Sequence, residues 1–139
     1  MKRLFKVAFL FIVVMAMCAC GGGNTPSAVA EKAMDCFVDE DYEGYVDLIY
    51  IKNEDTRDKE KLEQEKKQYV AMLKEKVTKS AEKSGKKPKS AKAVSEEISE
   101  DGEKATVEMK ITYDDGTEDT NKMKMCKDKN GNWRVDAGK

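Results

Sequence analysis

The chain has 139 residues, of which 26 are Lys or Arg and 27 are Asp or Glu, and it contains no histidine. This nearly balanced charge argues against a general nucleic-acid binder. The absence of histidine removes the commonest catalytic base and the commonest metal ligand. The length suits one domain with a sufficient core, so the composition predicts a single domain without nucleic acid, metal or cofactor.

The N-terminus has the pattern of an export leader. The basic start MKRLFK precedes an apolar run over residues 7–17. This run is too short to cross a bilayer as a stable helix, because that takes about 20 residues. Ala19 is the small residue that suits cleavage directly before Cys20. We therefore expect residues 1–19 to be a cleaved signal peptide.

The stretch Ala-Cys-Gly after the apolar run resembles the lipobox of bacterial lipoproteins. In that family the cysteine thiol carries a diacylglyceryl group and the freed amine is acylated, which implies a membrane anchor at Cys20. An uncleaved anchor and a soluble secreted form are the alternatives. Cys18 would be lost with the leader, so a redox pair or metal clip of the two cysteines is disfavoured. Residues 20–24 are then a glycine-rich tether, and residues 25–139 are the domain.

A first helix is predicted from about Pro26 to Asp39. Thr25 can accept a backbone N–H as its N-cap, and Pro26 suits the first helical position because its missing N–H is no loss there. Apolar residues at helical spacing predict one buried face. These residues are Val29, Ala30, Ala33, Met34, Cys36 and Phe37.

Two more helices are predicted before the sequence pattern changes from helical to strand periodicity. Asp41 can cap a short second helix, which Gly44 weakens. A long charged helix then ends at Ser84, because Gly85 tolerates positive φ and Pro88 cannot continue a helix. The apolar face of the second helix comprises Tyr42, Tyr45, Val46 and Ile49. The narrower stripe of the third comprises Leu62, Tyr69, Met72, Leu73, Val77 and Ala81.

The last third of the chain has the period of β-strands. In the clearest strand, apolar residues and tyrosine alternate with polar ones from Ala105 to Tyr113. Asp101-Gly102, Asp115-Gly116 and Asn130-Gly131 predict two-residue hairpin turns, and three hairpins imply four antiparallel strands. The flanking strands would cover about residues 90–99, 117–127 and 132–136. Their inward side chains include Met123, Met125, Trp133 and Val135.

Each predicted helix has one apolar stripe to bury, and the predicted antiparallel strands have one apolar face. Packing the helices on the sheet buries both, which predicts an α+β fold of order ααα-ββββ. The segments CGGGNTPSAVAEKAM, DEDYEGYVDLIY, SEEISEDGEKATVEMKITYDDG and KNGNWRVD occur in this order. Together they resemble small bacterial envelope lipoproteins with a domain of unknown function, whose fold is placed with the cystatin-like or nuclear-transport-factor-2-like (NTF2-like) cones. The resemblance implies a curved sheet under a helical layer and brings no established activity.

Position on the envelope follows from the same resemblance. Lipoproteins exported to the cell surface often carry acidic residues directly after the acylated cysteine. Here the first acidic residue is Glu31, so the resemblance implies an outer-membrane lipoprotein that faces the periplasm.

Two groups of side chains are candidates for binding. NTF2-like cones often hold a pocket, and the possible pocket-lining residues are Tyr42, Tyr45, Tyr69, Tyr113 and Trp133. The alternative is that these are core aromatics with polar tips at the rim. Lysines are concentrated near the end of the long helix. Among them, Lys83, Lys86 and Lys87 could form a basic patch that binds an anionic lipid or an acidic partner. A solvated helix end that complements the helix dipole is the simpler interpretation.

An enzyme without histidine would need a carboxylate base and a tyrosine, as in the ketosteroid isomerase pattern. Glu108 points away from the buried face of its strand, while Asp35 and Asp119 have no assigned face. Cys36 and Cys126 could pair in an oxidising compartment, but the strand period places Cys126 on the outer face. The sequence thus favours non-enzymatic binding of a protein or a small apolar ligand. An NTF2-like isomerase or dehydratase and a structural spacer are the alternatives.

Overall fold

A computed structural model describes residues 24–52, 54 and 57–137. The predicted leader, the predicted acylation site at Cys20 and the glycines of the predicted tether lie outside these described residues. Three helices come first, namely α1 (Pro26–Val38), α2 (Tyr42–Val46) and α3 (Lys59–Ser84). Four strands follow, namely β1 (Pro88–Ile98), β2 (Lys104–Tyr113), β3 (Glu118–Lys127) and β4 (Trp133–Val135). They form one antiparallel sheet in the order β1-β2-β3-β4, which confirms the predicted α+β class and element order.

The start of α1 is fixed by its cap and by β4. The Thr25 hydroxyl accepts the Ala28 N–H at 3.1 Å, as predicted. The Asn24 side chain accepts the Trp133 N–H at 3.0 Å and donates to the Gly131 carbonyl at 3.3 Å. Asn24, assigned from the sequence to the tether, therefore belongs to the folded domain.

The end of α1 carries a left-handed residue. Glu40 has φ 61°, and it is the one non-glycine residue with positive φ in the described part of the chain. The Asp41 N–H returns to the Cys36 carbonyl at 2.8 Å, which closes the helix end in the manner usually served by glycine.

Replacing Glu40 by glycine is expected to raise the free energy of unfolding by about 0.5–1 kcal/mol. The gain arises because glycine has no Cβ to strain a left-handed backbone, which outweighs its greater freedom in the unfolded chain. Urea unfolding followed by circular dichroism measures the change. The control is Glu63→Gly at an exposed position in the second turn of α3, which should cost about 1 kcal/mol. A similar loss for Glu40→Gly would contradict the prediction.

Helix α2 is a single turn that depends on the glycine within it. The Asp41 carboxylate accepts the Gly44 N–H at 3.0 Å, so the predicted cap is confirmed. A Cβ at Gly44 would overlap that carboxylate, so this glycine makes room for the cap. Ile49 lies beyond the helix, where its segment pairs with β4, and the Tyr50 N–H donates to the Val135 carbonyl at 2.8 Å.

The core lies between α1 and the inner face of the sheet. Ala30 and Ala33 are fully buried, and their small side chains allow α1 to lie close against the strands. From β2 the predicted inward residues are buried, except that Tyr113 is half-buried. The same buried cluster contains Met109 of β2, Met125 of β3, and Trp133 and Val135 of β4.

Helix α3 packs differently from the prediction. None of its residues is buried, and its main neighbour is α2. Only Tyr69, Val70 and Leu73 contact the edge of the core, while Met72 remains 37% exposed. The expected packing of the helices on the sheet is therefore correct for α1 and wrong for α3. Its apolar stripe is too narrow, and its other faces too charged, to be enclosed between two layers.

The hairpins lie where predicted but are longer than two residues. At the second hairpin the Tyr113 N–H donates to the Thr117 carbonyl at 2.9 Å, which leaves Asp114, Asp115 and Gly116 in the loop. Gly116 has φ 83°, whereas Asp115 does not have positive φ, although a two-residue type I′ turn needs both. The Asp115 carboxylate instead accepts the Thr117 N–H at 2.9 Å. This side-chain bond favours the three-residue form.

Candidate functional site

A cleft of about 610 Å³ opens between the end of α1, the C-terminal part of α3 and the adjoining end of the sheet. Its floor includes the nearly buried side chains of Met34, Tyr42 and Ile111. Val77 and Ala81 line it from α3. It exists because α3 packs on α2 and leaves its last turns without a strand as a main neighbour.

The short connection from α3 to β1 forms one end of the cleft. Gly85 caps α3 with φ 69°, and β1 begins at Pro88. The Lys87 N–H donates to the Asp114 carboxylate at 3.2 Å, and the Asp114 N–H donates to the Lys87 carbonyl at 2.9 Å. The connection is thereby attached to the β2–β3 loop, which holds the last turn of α3 near the sheet.

The cleft contains two of the five aromatic residues predicted for a pocket. Tyr42 and Tyr113 line it, and α1 adds Phe37. Tyr45 packs against Phe37 with ring centroids 5.9 Å apart, while Tyr69 packs at the edge of the core. Trp133 is 6% exposed in the core. Of the five, Tyr42 and Tyr113 line the cleft, while Tyr45, Tyr69 and Trp133 lie in the core or pack against it.

Tyr42 is buried except for its polar end. The residue is 7% exposed, and no described residue forms a hydrogen bond with its hydroxyl. The described part of the chain has no fully buried polar side-chain atom without a partner, so this hydroxyl is accessible. Burial of the ring, and then the charge of Glu40, raise the pKa of the Tyr42 phenol. The phenol is therefore neutral at physiological pH and available for hydrogen bonding.

Five charged residues line the cleft. Three are carboxylates, Glu40, Glu82 and Asp119, and two are lysines, Lys86 and Lys87. The three carboxylates are exposed, and none forms an ion pair or a hydrogen bond with a described residue. They are the acidic side chains that a ligand in the cleft would meet first.

Lys86 already has partners within the domain. Its ammonium donates to the Thr117 hydroxyl at 3.0 Å and lies 4.3 Å from the centroid of the Tyr113 ring. The pKa of the Asp115 carboxyl is lowered by hydrogen bonds from Thr117 and also by the charge of Lys86.

The lysine-rich segment does not form one patch. Lys86 and Lys87 line the cleft, whereas Lys83 does not. At about 100° per residue, Lys83 lies about 200° around the helix from the cleft-lining Ala81. The proposed patch of Lys83, Lys86 and Lys87 is thus divided between the cleft and the outer side of α3.

The structure places the acidic residues that the sequence left unassigned. Asp35 is exposed on α1 and does not line the cleft, while Asp119 is exposed on β3 at the edge of it. Glu108 lies on the outer sheet face, where its carboxylate accepts the Ser95 hydroxyl at 3.3 Å. Among the described residues, no second group holds Asp119 or Glu40 in the fixed geometry that a general base requires.

Both described cysteines are free thiols, and both are half-buried. Burial raises the pKa of Cys36, and it raises that of Cys126 to about 11. Thiols with such values are mostly protonated at neutral pH and are therefore weak nucleophiles.

Within the described residues, no group of three or more His, Cys, Asp or Glu residues is arranged to hold a metal ion. In that same part of the chain, no helix combines the length and apolar character needed to cross a bilayer. Comparison of the chain with protein families, curated proteins and solved structures gives no match. The proposals below depend on the chain's own residues.

Proposed function

We propose that this protein is a bacterial lipoprotein, anchored to the outer membrane through acylated Cys20 and facing the periplasm, whose domain binds a small apolar ligand. The observation that carries the binding proposal is the cleft of about 610 Å³ between α3, α1 and the sheet. Its volume falls in the range of small-molecule sites, and its lining combines apolar side chains with a comparable number of polar and charged ones.

The anchoring proposal rests on the leader and on the residues around Cys20. The order of three helices followed by four antiparallel strands supports assignment to the cystatin-like or NTF2-like lipoproteins. A structural spacer would need no cavity, so the cleft favours a binding role over that alternative. A partner protein that inserts one apolar side chain is a second kind of ligand for the same cleft.

An enzyme that uses a carboxylate and a tyrosine is the second candidate. Glu40 and Tyr42 both line the cleft, and the charge of Glu40 contributes to the raised pKa of the Tyr42 phenol. Glu40 is exposed, however, whereas catalytic carboxylates are commonly tuned by burial. This observation favours binding without chemistry.

Ala81→Trp is expected to weaken binding of a neutral apolar probe strongly, because an indole at this position would occupy part of the cleft. The probe is N-phenyl-1-naphthylamine, whose fluorescence increases in an apolar site. The protein is the acyl-free chain from residue 20 with serine at position 20, which requires no detergent. Circular dichroism first verifies that each variant is folded.

The matched control is Ala71→Trp, because Ala71 is exposed on the same helix and does not line the cleft. It should retain saturable binding of one probe per chain. Equal binding by both variants would show that the probe occupies another surface, and absence of saturable binding to the parent chain would refute the apolar site.

A further inference from the structure

The cleft is amphipathic, since apolar and charged side chains both line it. Val77 and Ala81 are apolar positions of α3, and Met34 and Ile111 form an apolar floor. The charged residues come from the end of α1, the last turns of α3, the connection to β1 and the start of β3. A ligand that fills the site therefore needs an apolar body and a polar head.

The carboxylates outnumber the cations that remain available. Glu40, Glu82 and Asp119 have no ion-pair partner among the described residues. Lys86 is bound to Thr117 and the Tyr113 ring, so Lys87 is the one cleft-lining lysine whose ammonium has no partner in the described part of the chain. The five charged side chains that line the cleft therefore sum to a net charge of −1, which favours a positive head.

The lysines of α3 do not reverse this balance. Lys76, Lys79 and Lys83 recur every three or four residues along one side of the helix, and none of them lines the cleft. Ala81 and Val77 lie on the opposite side. The helix thus directs these cations to solvent and presents Glu82 to the cleft.

Tyr42 supplies an independent indication of a polar ligand atom. It is 7% exposed, lines the cleft and has a hydroxyl without a partner among the described residues. Because this hydroxyl is accessible, it can form a hydrogen bond with a polar atom of a ligand in the cleft. An ammonium N–H can donate to this oxygen.

We infer that the ligand is a cationic amphiphile, an organic amine with an apolar body, whose ammonium lies between the Tyr42 hydroxyl and the carboxylates of Glu40, Glu82 and Asp119. This inference rests on the proposed apolar site and specifies the ligand class for it. Its apolar body contacts Val77, Ala81 and the floor of the cleft.

Displacement of N-phenyl-1-naphthylamine by three ligands of equal chain length tests the inference. Decylamine, decanoate and decanol are titrated below their aggregation limits at neutral pH and low salt. Decylamine should displace the probe at a concentration about tenfold lower than decanoate, since three exposed charges each contribute modestly. Added salt should reduce this ratio.

A triple variant removes the acidic rim. In Glu40→Gln, Glu82→Gln, Asp119→Asn the preference for decylamine over decanoate should be lost or reversed, because Lys86 and Lys87 remain in the cleft, and the affinity for decanol should be unchanged. The control removes the same charge from exposed positions outside the cleft, by Glu63→Gln, Glu97→Gln and Glu100→Gln, and should retain the ratio. The substitution Tyr42→Phe should lower the affinity of the protein for decylamine about threefold.

The outcomes separate the two proposals. If the probe binds and decanoate displaces it as well as decylamine does, the cationic ligand is wrong while the apolar site stands. An equal loss of preference in the control variant would attribute it to overall charge and would also overturn the inference. If the probe does not bind at all, the proposed apolar site itself fails.

Discussion

Replacing Cys20 by serine is expected to remove every acyl chain from the protein, whereas replacing Cys18 by serine should leave acylation unchanged. The reason is chemical, because only a thiol can carry the thioether-linked diacylglyceryl group, and Cys18 is discarded when cleavage falls before Cys20. Intact mass spectrometry of protein extracted from membranes measures the attached mass, and partition into a detergent phase measures the anchor.

The pair of variants makes the result specific. They differ only in which of two neighbouring cysteines is lost, so general damage to export would affect both. Acylation that survives Cys20→Ser and disappears in Cys18→Ser would place the anchor at the other cysteine. Acylation absent from the parent chain would refute the lipoprotein proposal, while leaving the cleft experiments intact.

Replacing Trp133 by alanine is expected to lower the free energy of unfolding by about 3–5 kcal/mol. Trp133 is 6% exposed and belongs to the same buried cluster as residues of α1 and β2. Its removal takes a large apolar surface out of the core and leaves a cavity that the close-packed neighbours fill only in part. Urea unfolding of the acyl-free chain, followed by circular dichroism, measures the loss without relying on tryptophan fluorescence.

The control for this substitution is Val94→Ala on the edge strand β1. Val94 is 53% exposed, so its truncation should change the free energy of unfolding by less than about 0.5 kcal/mol. A loss below about 1 kcal/mol for Trp133→Ala would contradict the packing of β4 against the core.

The local structure could be predicted because single side chains decide it. The caps at Thr25 and Asp41 each bond to the backbone three residues on, so their effect depends on sequence neighbours alone. Alternation along β2 is equally direct, because burial of one face requires an apolar residue at every second position. The end of α3 at Gly85 could be predicted as well, because glycine readily adopts the left-handed conformation that closes a helix.

The cleft could not be predicted, because it depends on how far α3 lies from the sheet. Val77 and Ala81 have the spacing of a core stripe, and nothing in that spacing shows whether a strand, another helix or a ligand covers them. Glu40 and Glu82 were not identified as site residues for the same reason. The short connection from Gly85 to Pro88 was the available signal, since it requires the last turn of α3 to lie beside the start of β1.

The hydrogen bonds of Asn24 to Gly131 and Trp133 have a consequence for how a ligand reaches the protein. Cys20 is four residues earlier, so an anchor there lies within about 14 Å of Asn24 even with the chain fully extended. The cleft is at the other end of α1, a helix about 20 Å long. With the proposed anchor at Cys20, the cleft would lie at the end of α1 far from the point of attachment, which favours delivery of a ligand from solution or by a second carrier over lateral diffusion in the bilayer.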